Sequence, residues 1–96
     1  MIASFGNKAT DELYHGHHTA RTRKIPSDVA KVTCRKLDLI EAADRLNDLA
    51  SPPGNRLEAL KGDRRGFYSI RVNDQWRIVF RWIQDSAHDV ELTDYH

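Results

Sequence analysis

The chain has very little cysteine, and this scarcity narrows the kinds of site that it can form. Cys34 is the only cysteine among 96 residues, which excludes an internal disulfide and a zinc site built from several thiolates. Long apolar runs are missing too, since none approaches the roughly 20 residues that span a bilayer. Residues 1–7 lack a basic segment followed by an apolar one, so they do not resemble a signal peptide. We therefore expect a cytoplasmic protein that does not act at a membrane.

Net charge is also small, because 15 lysines and arginines are balanced by 14 acids to leave a formal charge of +1. The basic residues are nevertheless concentrated in two stretches, residues 21–36 and residues 56–81. The second stretch contains seven basic residues, of which six are arginine. Because arginine can bind phosphate in a bidentate manner, the near-neutral total is compatible with a basic face that contacts nucleic acid.

Composition and periodicity predict the fold class. Hydrophobic residues make up 40% of the chain, so we expect one folded domain over residues 1–96. The pattern predicts the order β-α-α-β-β-β-β, an α+β fold with two N-terminal helices on one face of a mostly antiparallel twisted sheet. The predicted elements are a strand over 2–5, a helix from the Asn7 cap to about His15, a loop over 16–24, a helix from the Ser27 cap to about Leu49, a strand over 56–60, a turn over 61–66, strands over 67–72 and 75–83, and a terminal strand from His88.

The side-chain parity of the two long strands predicts how they pair. A two-residue turn between them would set apolar against polar faces. A three-residue connection pairs Val72 with Trp76 and Ile70 with Ile78, which keeps the apolar residues on one face. We therefore predict an odd connection or a bulge. The opposite face then carries Ser69, Arg71, Arg77, Val79 and Arg81.

The last residues bring titratable side chains to the rim of the predicted sheet. Val90 and Leu92 alternate with polar residues, and the strand runs into Asp94, Tyr95 and His96. Cleavage of RNA by its own 2′-hydroxyl needs a base, cations that stabilise the charged phosphorane, and an acid for the leaving 5′-oxygen. The three arginines of the neighbouring strands supply cations, and the terminal residues supply proton-transfer groups. The alternative is a solvated charged face whose arginines are paired with Asp89 and Glu91, since exposed sheet faces are commonly charged.

Strict alternation separates the terminal side chains. It places Tyr95 with Glu91 on the arginine-bearing face, and Asp94 and His96 on the Val90 face. The strand must therefore twist or end before Asp94 if the three terminal side chains are to act together.

Other candidate sites favour ordinary structural roles. His15, His17 and His18 lie within four residues, but no acid lies nearby at ligand spacing, so we expect a solvated loop and no metal site. Cys34 falls on the long predicted helix, where a small core residue is the expected role. The turn over residues 61–65 is either a solvated loop or a phosphate clamp.

Several segments, taken together, resemble a known family. They are PGNRLEALKGDR at 53–64, YSIR at 68–71, QWRI at 75–78 and the terminal DYH at 94–96. Each segment is weak alone, but their order and spacing resemble the HigB branch of the RelE/ParE toxins, and the likeness covers essentially the whole chain.

That resemblance implies a RelE-like fold and the toxin of a bacterial type II toxin–antitoxin system. The implied activity is ribosome-dependent cleavage of mRNA, which inhibits translation and uses no metal or other cofactor. The implied partners are the ribosome, mRNA and a helix-turn-helix antitoxin of the HigA kind. The complex of toxin and antitoxin is expected to repress its own operon by binding operator DNA.

The resemblance also implies roles for individual residues. Lys61, Arg77, Asp94, Tyr95 and His96 match the active-site set of the family. Arg77 and Lys61 are expected to hold the scissile phosphate, and His96 is expected to transfer protons. Asp94 and Tyr95 would orient His96 or the RNA. Further RNA contacts are expected from Arg56, Arg64, Arg65, Arg71 and Arg81.

The chain departs from some members of that family at Glu58, where they carry histidine. Glu58 is therefore either a proton-transfer group or a structural residue. Two other functions stay open at this point: a ParE-like poison of DNA gyrase, and a non-catalytic module that binds the antitoxin or the ribosome. The terminal Asp94-Tyr95-His96 set favours RNA cleavage.

Overall fold

Helices come first along the chain and most strands come last. The computed structural model describes residues 1–94. Its helices are α1 (Lys8–Tyr14), α2 (Ala20–Arg23) and α3 (Ser27–Ala42), and its strands are β1 (Glu58–Ala59), β2 (Phe67–Arg71), β3 (Trp76–Ile83) and β4 (Ser86–Asp94). Short 3₁₀ helices lie at Leu46–Ala50, Pro53–Asn55 and Gly62–Arg64. Over the described range, none of the helices is long and apolar enough to cross a membrane.

The four strands form one sheet in the order β1-β2-β3-β4, with every neighbouring pair antiparallel. Ile70 lies opposite Ile78 in the β2–β3 ladder. The Val72 amide donates to the Trp76 carbonyl at 3.0 Å, so three residues connect the two strands. This confirms the predicted register. A slip of one residue would have moved the apolar side chains to the other face.

The core lies between α3 and one face of the sheet. Leu37 and Ile40 of α3 are fully buried, and they belong to one cluster with Ile70, Ile78 and Phe80 of the sheet. Full burial of a side chain of this size contributes about 1.5–3 kcal/mol, so this cluster is a principal source of stability. The predicted α+β class, with helices packed on an antiparallel sheet, is confirmed.

The helix α1 begins where the capping residues predict. The Asn7 side chain accepts a hydrogen bond from the Thr10 amide at 2.9 Å, which satisfies one of the free amides of the first turn. Gly16 follows the helix with a positive φ of 74°, a conformation that glycine adopts without steric cost.

The predicted loop over residues 16–24 is wrong, because this segment contains α2. Thr19 and Thr22 cap the helix reciprocally, each side chain accepting from the other residue's amide. Arg21 then donates two hydrogen bonds to the carboxylate of Glu12 in α1, at 2.8 and 2.9 Å. A four-residue helix is too short to be stable alone, so these contacts with α1 are what organise it.

The predicted cap of α3 is also wrong by one position. Ser27 is the first helical residue, and Pro26 occupies the cap in an extended conformation, with φ −55° and ψ 141°. Proline loses no hydrogen bond there, since the first amides of a helix have no partner within it. Its carbonyl accepts the Ala30 amide at 2.9 Å and so starts the helix.

The helix α3 ends at Ala42, well before the predicted end near Leu49. The Asp48 carboxylate accepts hydrogen bonds from the Asp44 and Arg45 amides, both at 3.0 Å. These bonds start a separate 3₁₀ helix. They replace the main-chain hydrogen bonds that the same two amides would make if α3 continued. Apolar periodicity runs across this break, which is why the sequence pattern did not reveal it.

The predicted strand over residues 2–5 exists only as two isolated parallel bridges to β4. In the same region, β4 has a register shift opposite the segment Val79–Arg81 of β3. Asp89 takes a positive φ of 53° at the shift, and its amide donates to the Ser4 hydroxyl oxygen at 2.9 Å. A bulge of this kind interrupts a regular ladder.

Candidate active site

The open face is the side of the sheet that points away from α3. The ladder sets four residues side by side across it, one from each strand: Glu58, Ser69, Val79 and Glu91. Ser69 and Val79 are only 2% and 0% exposed, so longer neighbouring side chains cover the centre of this face. It is therefore not the uniformly solvated surface of the alternative interpretation.

Two of the predicted arginines lie directly opposite each other on this face. Arg71 of β2 pairs with Arg77 of β3, and like charges at such positions are destabilising. Arg71 forms an ion pair with Asp74, whose side chain is 98% exposed. Arg77 donates to main-chain carbonyls, that of Asn73 at 2.6 Å and that of Trp76 at 3.4 Å. These carbonyls orient the Arg77 guanidinium but do not neutralise it.

The other end of the open face is arranged differently. Arg81 forms an ion pair with Asp89, with nitrogen–oxygen distances of 2.7 and 2.8 Å. The guanidinium of Arg81 also lies 5.9 Å from the centre of the Phe67 ring, and that of Arg64 lies 5.5 Å from the same ring. Two predicted RNA-binding arginines thus meet at one aromatic ring, which favours cations near its face.

The remaining predicted basic residues lie around β1. Lys61 and Arg65 flank the 3₁₀ helix Gly62–Arg64, and both are exposed. Arg56 is exposed before β1 with a left-handed φ of 46°. The Leu60 amide donates to the Phe67 carbonyl, so Lys61 lies beyond the Phe67 end of β2. From there to the level of Arg77 is about 13 Å or more along the strand.

Glu58 and Glu91 are at opposite ends of the same row. Three strand spacings separate them, or roughly 14 Å. Glu91 packs on the segment before α1, because a Cβ atom placed on Gly6 would lie only 3.0 Å from its Oε1 atom. Glu58 is exposed on the short edge strand β1. Of these two carboxylates, Glu58 is therefore the one accessible to a bound substrate.

Thr93 is a residue of this face that sequence reasoning did not single out. It lies directly opposite Arg77 in the ladder. Within the described part of the chain, its buried hydroxyl oxygen has no hydrogen-bond partner. Buried polar groups are usually satisfied, so this unpaired hydroxyl next to Arg77 is unusual. The sequence does contain a signal for Thr93, because its alternation with the apolar Leu92 places it on the open face.

The strand β4 continues through Asp94, which pairs with Trp76. The Gln75 side-chain amide donates to the Asp94 carboxylate at 3.2 Å. Pairing with Trp76 sets Asp94 on the side of the sheet opposite Arg77. The requirement that the strand twist or end before Asp94 is thus not met at Asp94 itself. The predicted positions of Tyr95 and His96 lie outside the described residues.

The histidine-rich segment and the cysteine have ordinary local contacts. His15 is hydrogen-bonded to the Asp11 carbonyl at 2.8 Å, and its ring centre lies 6.3 Å from that of His17. Residues 1–94 contain no group of three or more His, Cys, Asp or Glu side chains placed to hold a metal ion. Burial and then the nearby Asp38 raise the pKa of the Cys34 thiol, which disfavours the reactive thiolate.

Comparison with known proteins identifies the family. The model of the HigB-like toxins, described as RelE-like toxins of type II toxin–antitoxin systems, matches residues 3–96. Toxin HigB-1 of Vibrio cholerae is 40% identical over 92 residues, which cover 96% of this chain and 95% of that protein. Endoribonuclease HigB of Proteus vulgaris is 35% identical over 97 residues and covers 100% of both chains.

Solved structures agree at the level of the fold. YoeB in the YoeB-YefM complex from Staphylococcus aureus has a TM-score of 0.62 at 19% identity, covering 100% of this chain and 98% of that one. YafQ from E. coli has a TM-score of 0.57 at 13% identity, covering 98% and 93%. Such low identities show the fold alone. The family match over residues 3–96 and the two relatives show that the chain belongs to the HigB-like toxins, which are RelE-like toxins of type II toxin–antitoxin systems.

Proposed function

We propose that the protein is a ribosome-dependent mRNA endoribonuclease that inhibits translation from within the cytoplasm. Its membership of the HigB-like toxins and its likeness to a relative named Endoribonuclease HigB support cleavage of RNA. The observation that carries the proposal is the opposed pair Arg71 and Arg77 on the open face. Two like charges held side by side gain stability when an anion lies between them, and a phosphodiester is such an anion.

The proposed reaction is an internal transfer at phosphorus. The RNA 2′-oxygen bonds to phosphorus while the bond from phosphorus to the 5′-oxygen breaks, which leaves a cyclic phosphate and a free 5′-hydroxyl. A base accepts the 2′-proton and an acid donates one to the 5′-oxygen. Guanidinium groups supply the positive charge that metal ions supply in many nucleases, so the proposed mechanism needs no metal.

The geometry of the open face supports the proposed roles of Arg77 and Glu58, whereas the roles of Lys61, Asp94, Tyr95 and His96 follow the family resemblance. Arg77 binds the oxygens of the scissile phosphate, because its guanidinium is oriented by carbonyls without being neutralised. Lys61 approaches the RNA from the Phe67 end of β2. His96 transfers protons, and Tyr95 and Asp94 orient His96 or the RNA. Glu58 is a second candidate for proton transfer, since it is the exposed carboxylate of the central row.

The remaining arginines guide the RNA towards that centre. Arg71 lies beside Arg77, and Arg81 and Arg64 share the Phe67 ring. Arg56 and Arg65 are exposed near β1 and contact phosphates without sequence preference.

The proposed neutralising partner is an antitoxin with a helix-turn-helix domain, of the HigA kind. Membership of a type II toxin–antitoxin family supports an antitoxin partner, and the Staphylococcus aureus structures contain YoeB together with YefM. The antitoxin would bring the toxin to operator DNA, and the ribosome would bring mRNA to the open face.

Mapping the 5′ ends of transcripts after induction tests the proposal. Cuts confined to translated frames are expected. Deletion of His96 should slow cleavage by about 10²–10⁴-fold, the usual contribution of acid–base catalysis. His18→Ala is a matched control, because His18 is exposed in the segment between α1 and α2.

Three outcomes would contradict the proposal or one of its residue roles. DNA damage with intact transcripts would indicate action on gyrase. Protection of ribosome-bound mRNA without new 5′ ends would indicate binding without catalysis. Equal cleavage by the His96 deletion and the parent would show that the terminal residue is not the proton-transfer group.

A further inference from the structure

A second basic site lies beside the open face, at the bare edge of β2. The strand β1 pairs only with Tyr68 and Ser69, so within residues 1–94 β2 has no strand neighbour on that side from Ile70 onward. Between this edge and α3 lies a pocket of about 430 Å³. We call it the edge pocket, and it is lined by Val32, Arg35, Lys36, Leu39, Gly54, Arg71 and Val72.

The edge pocket concentrates positive charge. Three of its seven lining residues are cationic, namely Arg35, Lys36 and Arg71, and none of the seven is acidic. Burial lowers the pKa of the Lys36 ammonium, and the charges of Arg35 and Arg71 lower it further. The three cations are therefore close enough to repel one another, an arrangement that an anion would stabilise.

The Lys36 ammonium is held in place by a neutral group. It donates to the side-chain oxygen of Asn55, a residue that is fully buried. The Asn55 side-chain nitrogen donates in turn to the Leu49 and Ser51 carbonyls, at 3.1 and 3.2 Å. This bonding fixes the ammonium without neutralising it, which is the arrangement of a preorganised anion site.

We propose that the edge pocket binds a backbone phosphate of the RNA strand, next to the phosphate at Arg77. The inference rests on the proposed function. Arg71 lines the pocket and lies directly opposite Arg77, and such opposed residues have Cα atoms about 4.5–5.5 Å apart. A strand bound at Arg77 thus needs only to cross the bare edge of β2 to place a further phosphate between Arg35 and Lys36.

Asp74 does not block this path. It forms an ion pair with Arg71, but its side chain is 98% exposed. An exposed ion pair is weak because water and salt screen it. Arginine has five N–H donors, so Arg71 can bind a phosphate while one nitrogen contacts Asp74.

A matched pair of substitutions at Gly54 tests the site. A Cβ atom placed on Gly54 meets no atom within 4 Å, so a longer side chain fits without disturbing the core. Gly54→Glu puts a carboxylate into the pocket, and Gly54→Gln adds the same bulk without charge. Ala20→Glu changes the net charge equally at an exposed position of α2. The probe is a fluorescent single-stranded RNA, fully 2′-O-methylated so that it cannot be cleaved.

Gly54→Glu is expected to weaken binding about tenfold, the effect of losing a charge-assisted phosphate contact and adding a repulsion. Gly54→Gln and Ala20→Glu should each change it by less than about twofold. Arg35→Gln should lower the slope of log affinity against log salt by about 0.7, the value for one phosphate of a single strand. Equal weakening by Gly54→Glu and Ala20→Glu, or no weakening at all, would overturn the proposal.

Failure of the site and failure of the proposed function give different results. If the parent cuts translated mRNA while Gly54→Glu binds RNA normally, the proposed endoribonuclease activity is supported and the edge pocket is not an RNA site. If no transcript is cut but Gly54→Glu selectively weakens RNA binding, the pocket stands and the catalytic proposal fails. Loss of antitoxin binding by Gly54→Glu, with RNA binding unchanged, would assign the pocket to an acidic protein partner and overturn the inference.

Discussion

Arg77 and Arg81 lie on the same strand and the same face of the sheet, but their surroundings differ. Arg81 is paired with the Asp89 carboxylate, whereas Arg77 is held by the carbonyls of Asn73 and Trp76. Position in the alternation therefore does not distinguish the two arginines. What distinguishes them is whether the partner is charged or neutral.

Because of this difference, the two arginines have different proposed roles. A carboxylate partner reduces the local positive potential and stabilises the fold modestly. Carbonyl partners restrict the guanidinium while leaving its charge for a substrate, which is how preorganised sites stabilise developing negative charge. The Arg77 end is therefore the proposed reaction centre, and the Arg81 end is a proposed guide for the RNA.

The largest expected effect comes from removing the two arginines one at a time. Arg77→Ala should reduce the cleavage rate by about 10²–10³-fold, the usual cost of one electrostatic contact to the transition state. Arg81→Ala, its matched control, should reduce the rate by no more than about tenfold, because it loses only a guiding contact. The rates are measured by primer extension on programmed ribosomes. Equal losses would remove the distinction between the two ends.

A smaller effect should follow when Arg81 is made to resemble Arg77. Asp89→Asn removes the charged partner, so RNA binding should become a few-fold tighter and more salt-dependent, as one more cation is available. The free energy of unfolding should fall by about 0–1 kcal/mol, since both side chains of the pair are 42% exposed. Fluorescence anisotropy and urea unfolding measure these changes. Weaker RNA binding by a folded Asp89→Asn protein would contradict the interpretation of Asp89 as a neutralising partner.

The smallest effect concerns a third arginine with a charged partner, Arg21. Its hydrogen bonds lower the pKa of the Glu12 carboxyl from 4.5 to about 2. A lowered pKa in the folded state means that the carboxylate stabilises the protein above pH 4.5, and that this contribution is lost as the pH falls towards 2. The protection factors of the α2 amides, which compare the exchange rate with its intrinsic value at the same pH, should therefore fall over that range.

The Glu12→Gln variant is the control for this titration. It should show lower protection factors in α2 at neutral pH and little further change in them between pH 4.5 and 2. A Glu12 carboxyl that titrates near 4.5 by NMR in the parent would show that the contact between α1 and α2 is weaker than the structure indicates.

Local patterns predicted a large part of the fold. The alternation of Ile70 and Val72 with polar residues was enough to predict both the register of β2 and β3 and their three-residue connection, because a slip exposes every apolar side chain at once. The Asn7 cap and Gly16 also predicted α1 correctly. The sequence is sufficient to predict a local structure when that structure depends on one residue type at one position.

Local patterns could not predict contacts between residues that are distant in the sequence. The helix α2 depends on the Arg21 contact with Glu12, nine residues away. At the bulge, the Asp89 amide donates to the hydroxyl of Ser4 at the other end of the chain. Local propensity cannot report such partners, so the predicted loop over 16–24 and the predicted strand over 2–5 were wrong.

For the candidate site, too, the sequence determined some features and the tertiary structure decided others. The sequence by itself determined that Arg71, Arg77 and Arg81 share a face, since side chains alternate along strands whose apolar residues must reach the core. Only the tertiary structure decided which of them keeps its charge free, because Asp89 reaches Arg81 through a bulge while Arg77 is bonded by carbonyls. It also decided that Arg35 and Lys36 of α3 meet Arg71 at the edge pocket. That meeting depends on how far β1 extends beside β2, a property of the assembled sheet and not of any one segment.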